Sequence, residues 1–296
     1  MKSRSIFLLA ALFISATVFA DENEITVEQL KYQEWAAAIW DSLDRQTGKI
    51  KLPNAVATLD VPANFYYLNP KDAEKILVEV WQNPPQQNTL GMLFPEEMTP
   101  FDPQAWAVTI EYEEDGYVSD EDADDIDYAE LLEQMQSETD YASQERVTQG
   151  YEPIKLVGWA AKPYYDSVSH KLHWAKEIKF GNQQLNTLNY NIRVLGRKGV
   201  LVLNFIAGID QKDLIESQLD SVLAIAEFDD GSTYADFDPD LDEVAAYGIG
   251  ALVAGKLVAK TGLIAGALIF LKKFGVFILI GIGAFLRKIF AKKEPK

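Results

Sequence analysis

The sequence predicts an α+β protein: an antiparallel sheet with packed helices, plus a C-terminal transmembrane helical region. Three observations predict it. Apolar and polar residues alternate in the middle of the chain, as in half-buried strands. Apolar residues at helical spacing flank them, opened by capping residues. Near the end, Gly262 to Leu286 holds fifteen Leu, Ile, Val or Phe residues and two charges, Lys272 and Lys273.

The elements follow in order. Thr26 and Gln29 make a capping box ahead of Leu30, Trp35, Ile39 and Leu43, so residues 26–45 read as a helix ended by Gly48. Pro53 and Pro62 break Lys49 to Tyr67 into short extended pieces. Asn69 then caps a helix whose first residue, Pro70, has no N–H to leave unpaired. Ala73, Ile76, Leu77, Val80 and Trp81 carry it forward until Asn83-Pro84-Pro85 stops it. Trp106, Val108, Ile110 and Tyr112 make one face of a strand, with Glu111 and Glu113 on the other. Tyr128, Leu131, Leu132 and Met135 mark a further helix.

Tyr151 to Gly208 reads as β structure. Leu172, Trp174, Ile178 and Phe180 share one strand face, and Leu188, Tyr190, Ile192 and Val194 share another. Gly196-Arg197-Lys198-Gly199 is a tight turn, which makes its flanking strands antiparallel neighbours. Val200 to Ile206 is almost wholly apolar, as in a central strand covered on both sides. Leu214, Ile215, Leu219, Val222 and Leu223 complete an amphipathic helix.

Charge divides the chain. The formal net charge is −18, yet residues 21–255 hold 16 basic and 44 acidic residues, while residues 256–296 hold nine Lys or Arg and one acid. The acidic part repels nucleic acid and anionic headgroups, and the basic end is drawn to anionic lipid. There is no cysteine, which excludes disulfides, thiolate catalysis and Cys-ligated zinc.

At the N-terminus, Lys2 and Arg4 precede the short apolar run Ile6 to Ala16, and Val18-Phe19-Ala20 offers a cleavage site. This is a secretory signal pattern. The expected organisation is a signal peptide over 1–20, an acidic α+β domain over 21–228 and an acidic linker over 229–243. A membrane-associated helical region over 244–290 and a basic tail over 291–296 follow. A span centred on Lys272 is near break-even: the apolar side chains favour insertion by about 5–9 kcal/mol and two central lysines cost about 5–7 kcal/mol. Shifted frames remove that conflict. Phe274 to Leu286 is bounded by cationic side chains that snorkel, and Tyr247 to Leu271 leaves seven basic residues behind it. One crossing with a cytoplasmic tail is favoured over a two-span hairpin and over a surface-lying helix. The expected partner is therefore the lipid bilayer, through the C-terminal helix. A protein partner is left open.

No catalytic, cofactor-binding or metal-binding residue is assigned. Asp120, Asp122 and Asp124 alternate as calcium ligands do, but an EF-hand wants Gly and Glu where Asp125 and Leu131 stand. Capping by Ser119 ahead of an acidic first turn explains them better. His170 and His173 would share a metal with Glu177 on a helix, but a strand points them apart. Arg193, Arg197 and Lys198 are the basic cluster of the acidic domain, read as solvated turn residues. Neither phosphate-loop pattern occurs, nor does a G-x-S-x-G elbow. Gly248, Gly250 and Gly255, and Gly262 with Gly266, lie where small residues let helices approach.

Four stretches carry a resemblance: WAVTIEYEEDGYVSDEDADDIDYAELL, GWAAKPYYDSVSHKLHWAKE, LNYNIRVLGRKGVLVLN and YADFDPDLDEVAAYGIGALVAG. Through them, over much of residues 45–262, the chain resembles the bacterial family catalogued as domain of unknown function 2167, described as membrane-anchored. The resemblance implies a bacterial envelope protein; with the signal pattern and the C-terminal apolar region, the expected location is the bacterial inner membrane with the main domain facing the periplasm. It supplies no catalytic residue, substrate or cofactor. A looser similarity in the strand-then-helix ending is to PsbP-like and Mog1-like α+β domains, as fold analogy. The expected function is a membrane-anchored envelope protein of unknown biochemical activity, acting as a non-catalytic binding or scaffold module. The alternatives are an enzyme using Glu111, Glu113, Asp115 and the 120–127 acids, or a subunit of a membrane complex.

Overall fold

The computed structural model describes residues 26–53, 57–85 and 88–254. The signal pattern of residues 1–20, the apolar run 262–286 and the tail 291–296 lie outside the described residues. Among the described residues, no helix is long and apolar enough to cross a membrane.

The first helix, α1 (Val27–Ser42), belongs to a compact unit of its own, and the residues from Leu43 form a second. Its capping box is formed: the Thr26 N–H donates to Gln29 Oε1 at 2.8 Å, and the Gln29 N–H donates to Thr26 Oγ1 at 3.2 Å. Within Val27–Ser42 only Ile39 is buried, while Leu30 is 45% exposed.

The second unit is built on an eight-stranded, wholly antiparallel sheet in the order β1-β4-β5-β6-β10-β9-β8-β7. Its strands are β1 (Arg45–Gln46), β4 (Phe65–Leu68), β5 (Gly91–Pro95), β6 (Ala107–Glu113), β7 (Ile154–Asp166), β8 (Lys171–Phe180), β9 (Thr187–Leu195) and β10 (Val200–Gly208). A small sheet of β2 (Gly48–Lys51), β3 (Ala57–Val61) and β11 (Ala226–Phe228) joins the core on one face of the large one. The period-2 pattern explains the two cores. Val108 and Ile110 of β6, Leu188 to Val194 of β9, and Leu201, Leu203 and Phe205 of β10 meet β3, β11 and helix α4 (Lys212–Leu223). Leu172, Trp174, Val200 and Val202 point the other way, against α3 (Tyr128–Thr148) and α5 (Ile249–Ala254).

Asp127 opens α3, its carboxylate accepting from Ala129 and Glu130 N–H at 2.9 and 3.2 Å. Ser119, expected as the cap, instead accepts from Glu121 N–H at 3.4 Å inside the preceding loop. Gly150, at φ +88°, follows the helix, where a left-handed residue lets the chain turn back. The turn 196–199 closes with a Gly196 N–H to Gly199 C=O bond of 2.9 Å.

The acidic stretch 229–243 is fixed to the domain. Tyr234 is buried and donates to the Val118 C=O at 3.0 Å. Asp242, with a side chain 1% exposed, meets Arg197 at 2.7 Å and Lys198 at 3.6 Å. Arg197 holds the Asp242 carboxyl below the ordinary carboxylate range. Tyr117 then forms a parallel bridge with Val244, donating to Glu243 C=O and accepting from Ala245 N–H, each at 2.8 Å. Replacing Asp242 by alanine is expected to speed hydrogen exchange across 229–245 while leaving β9 and β10 protected. Mass-spectrometric exchange checks this.

Candidate functional site

The central strand is not covered along its whole length. Val200 to Leu203 are buried, but Asn204, Ile206 and Gly208 are only half-buried. Here α3 and α5 no longer lie over the sheet, and a cleft of about 360 Å³ opens. Its volume is within the range of small-molecule sites.

One wall is a strained helix end. Asn69 caps α2 (Pro70–Lys75), accepting from Lys71 and Asp72 N–H at 3.0 and 3.1 Å. The helix then widens into a π-helical turn, Ile76–Val80, with the Trp81 N–H donating to Ile76 C=O at 2.9 Å. Such turns recur at functional positions because they displace side chains from the regular register. Asn83 N–H reaches back to Leu77 C=O at 2.9 Å, and Gln82 between them has φ +54°, a left-handed conformation costly for a side chain with a Cβ. The result sets Leu77, Trp81 and Asn83 along the cleft. Trp81 is held there by its Nε1–H bond to Pro100 C=O at 3.0 Å and by edge contact with Phe94.

The floor is the sheet face. Thr109 and Glu111 of β6, Asn204 and Ile206 of β10, Thr187 and Asn189 of β9, and Ile178 of β8 line it. Register explains the grouping. Thr109, Asn204, Asn191 and Trp174 stand directly opposite one another across four strands, as do Ile206, Asn189 and Lys176 across three. Opposed residues share a face, so a polar band crosses an otherwise apolar surface. Asn191 is 4% exposed and donates to Asn189 Oδ1 at 2.9 Å. Asn204 Oδ1 is buried and accepts no hydrogen bond, and Arg193 Nε and Trp174 Nε1 are buried donors without an acceptor. Arg193 lies over the Trp174 ring at 5.0 Å. Burial, with Arg193 beside it, brings Lys176 down to about 8. Burial lowers Arg193 as well, opposed by the charges of Glu113 and Glu111. A second opening of about 630 Å³ continues the cleft past Trp81, Asn83, Phe180 and Gln183 towards Arg146 and Glu152.

The residues weighed from sequence are dispersed. Asp122 accepts from Ile249 N–H at 2.9 Å and so holds the start of α5. Asp120 accepts from the Tyr165 hydroxyl at 2.6 Å. Among the described residues no group of three His, Cys, Asp or Glu could hold a metal ion. His170 is not in the strand: at φ +52° it precedes β8, its ring tilted against that of Tyr234 with centroids 4.1 Å apart, and Nδ1 3.5 Å from Asp120. His173 stays in β8, and burial lowers its pKa. The basic cluster is split as well. Arg197 and Lys198 serve Asp242, while Arg193 lies on the sheet face beside the cleft floor. Glu111 and Glu113 do share a face, and Asp115 accepts from the Tyr247 hydroxyl at 2.6 Å. Sequence reasoning missed Asn189, Asn204 and Lys176. For Asn204 and Lys176 the signal was present: each is polar at an inward position, between Val202 and Ile206 and between Trp174 and Ile178, whereas Asn189 lies on a face of β9 that is polar from Thr187 to Arg193.

A family model described as protein of unknown function (DUF2167) matches residues 44–283. The chain belongs to this family. The match takes in every residue of the DUF2167 cleft named above and leaves α1 outside it. No curated protein matches. Among solved structures, the solution structure of cyanobacterial PsbP (CyanoP) from Synechocystis sp. is 12% identical with a TM-score of 0.35, covering 64% of this chain and 93% of that one. The Ran-binding protein Mog1p of Saccharomyces cerevisiae is 10% identical with a TM-score of 0.29, covering 63% of this chain and 96% of that one. At these scores neither likeness bears on the function of the DUF2167 chain.

Proposed function

We propose that this DUF2167 domain is a non-catalytic binding module that takes a small polar ligand in the cleft between the π-helical turn and the sheet face. The observation that carries it is Asn204 Oδ1, a buried acceptor without a donor at the cleft floor. Leaving such a group unpaired costs about 1–3 kcal/mol, which a bound donor recovers. Glu111 is the one carboxylate among the residues lining this cleft, and glycosidic chemistry calls for a facing pair. That favours binding over glycoside hydrolysis. The leader-like residues 1–20 and the apolar run 262–286 support export and a C-terminal tether. The module then faces the periplasm from the bacterial inner membrane, with the bilayer as its partner.

The test is thermal unfolding of the full chain in detergent micelles with sugars, polyols, nucleosides and amino acids. At least one class is expected to raise the midpoint, by the mass-action shift of a native-state ligand. Asn204→Leu is expected to abolish that shift while folding normally, since an apolar side chain there leaves no acceptor unpaired. A shift that survives Asn204→Leu, or none with any class, overturns the reading.

A further inference from the structure

The polar band is asymmetric, and its asymmetry describes a ligand. At one end stand acceptors: Glu111 on β6 and Asn204 Oδ1 on β10. At the other stand donors: Lys176 on β8, with Arg193 Nε and Trp174 Nε1, both buried and both without an acceptor. Lys176 stands opposite Asn189 and two residues before Ile178 on the same strand face, and both of those line the cleft. Among the described residues, no carboxylate lies within ion-pair distance of its ammonium. Glu111 and Glu113 offset the charge of Arg193, while Lys176 faces Arg193 across a half-buried sheet face with no carboxylate to offset it, so the need for an anion lies at Lys176. An additional fact agrees: the lysine is lowered to about 8, with burial and Arg193 as the causes.

We infer that the ligand is a small zwitterion of amino-acid to dipeptide size, its carboxylate seated towards Lys176 and Arg193 and its ammonium towards Glu111 and Asn204. The inference rests on the binding reading above and names its ligand class. Strands are about 4.8 Å apart, so β10 and β8 are separated by about 10 Å at the backbone, and the long lysine side chain shortens that gap to the span of such a molecule. A cleft of about 360 Å³ holds it. The carboxylate gains charge-assisted bonds from Lys176 and the guanidinium, and the ammonium gives Asn204 the donor it lacks.

The experiment is calorimetric titration of the full chain in micelles with the protein amino acids and with alanyl-containing dipeptides, at millimolar concentration. Each binder is compared with its C-terminal amide and its N-acetyl form. The free zwitterion is expected to bind at least tenfold more tightly than either blocked form. In Lys176→Met, and in Lys176→Gln as a polar control, the acid and the amide are expected to bind alike. An amide or acetylated form that binds as well as its parent overturns the inference, as does a Lys176 variant that keeps the preference. No binding by any zwitterion also overturns it. If a neutral sugar or polyol binds instead, lost with Asn204→Leu but kept with Lys176→Met, this inference fails and the binding reading stands. If Asn204→Leu changes nothing, both fail.

Discussion

Alanine at Gly91 is expected to destabilise the second unit by about 3–5 kcal/mol, combining a forbidden backbone angle with overpacking. Gly91 has φ +141°, and a Cβ there would stand 2.2 Å from Tyr67 Cε2 and 2.5 Å from the Leu68 carbonyl oxygen. Neither neighbour can give way. The Tyr67 ring is 2% exposed, and its hydroxyl donates to Leu90 C=O at 2.6 Å. Leu68 C=O lies in β4, paired with β5. The corner also holds Thr89, whose hydroxyl reaches Gly91 C=O at 2.7 Å and Ile110 C=O at 2.9 Å. Thr89 lines the cleft, so the glycine sets the edge of the site as well as the turn. A thermal midpoint lower by roughly 10 °C is the expected readout for a domain of this size. Wild-type stability in Gly91→Ala would refute the steric argument.

Methionine at Lys176 is expected to act in the opposite direction. The side chain keeps its length and loses a charge that burial penalises. Its pKa falls from 10.5 to about 8, which corresponds to about 3.5 kcal/mol at most, because each unit is about 1.4 kcal/mol. The sign follows from proton counts. Below pH 8 the folded and unfolded forms both carry the proton, and the folded form bears the full penalty. Between pH 8 and 10.5 the folded form releases it while the unfolded form keeps it, so wild-type stability from this group rises with pH. Lys176→Met removes both the penalty and that slope. Urea unfolding at pH 7 and pH 9.5 measures the two together. A variant less stable than wild type at pH 7, or one that keeps the pH slope, contradicts the burial account. A gain in stability on deleting a charge beside the proposed site is the expected trade between function and folding.

Much of the sheet was legible. The alternation in β6, β8 and β9 fixed which residues point to which core, because a two-residue period has no other solution. The Asn69-Pro70 signal located α2, since cap and imino acid both act locally. The site was less legible, for two reasons. Its floor is assembled by register, and the sequence does not say that Thr109, Asn204, Asn191 and Trp174 fall in one row. Its wall depends on the π-helical turn, where the apolar spacing through Val80 and Trp81 reads as ordinary helix. Asn204 inside the run VLVLNFIAG was nevertheless a visible irregularity. The histidines misled in part, because His170 takes a left-handed turn conformation that strand alternation does not foresee. Ser119 was passed over for Asp127, whose carboxylate is nearer the first helical amides.

The bridge from Tyr117 to Glu243 and Ala245 and the Asp122 cap on α5 have a mechanical meaning. A load applied beyond Ala254 reaches the sheet through backbone bonds pulled lengthwise in parallel, which resist far better than bonds peeled one at a time. The domain therefore does not swing on residues 229–243 as on a rope; these residues and α5, as far as Ala254, move as one piece with the sheet that floors the cleft.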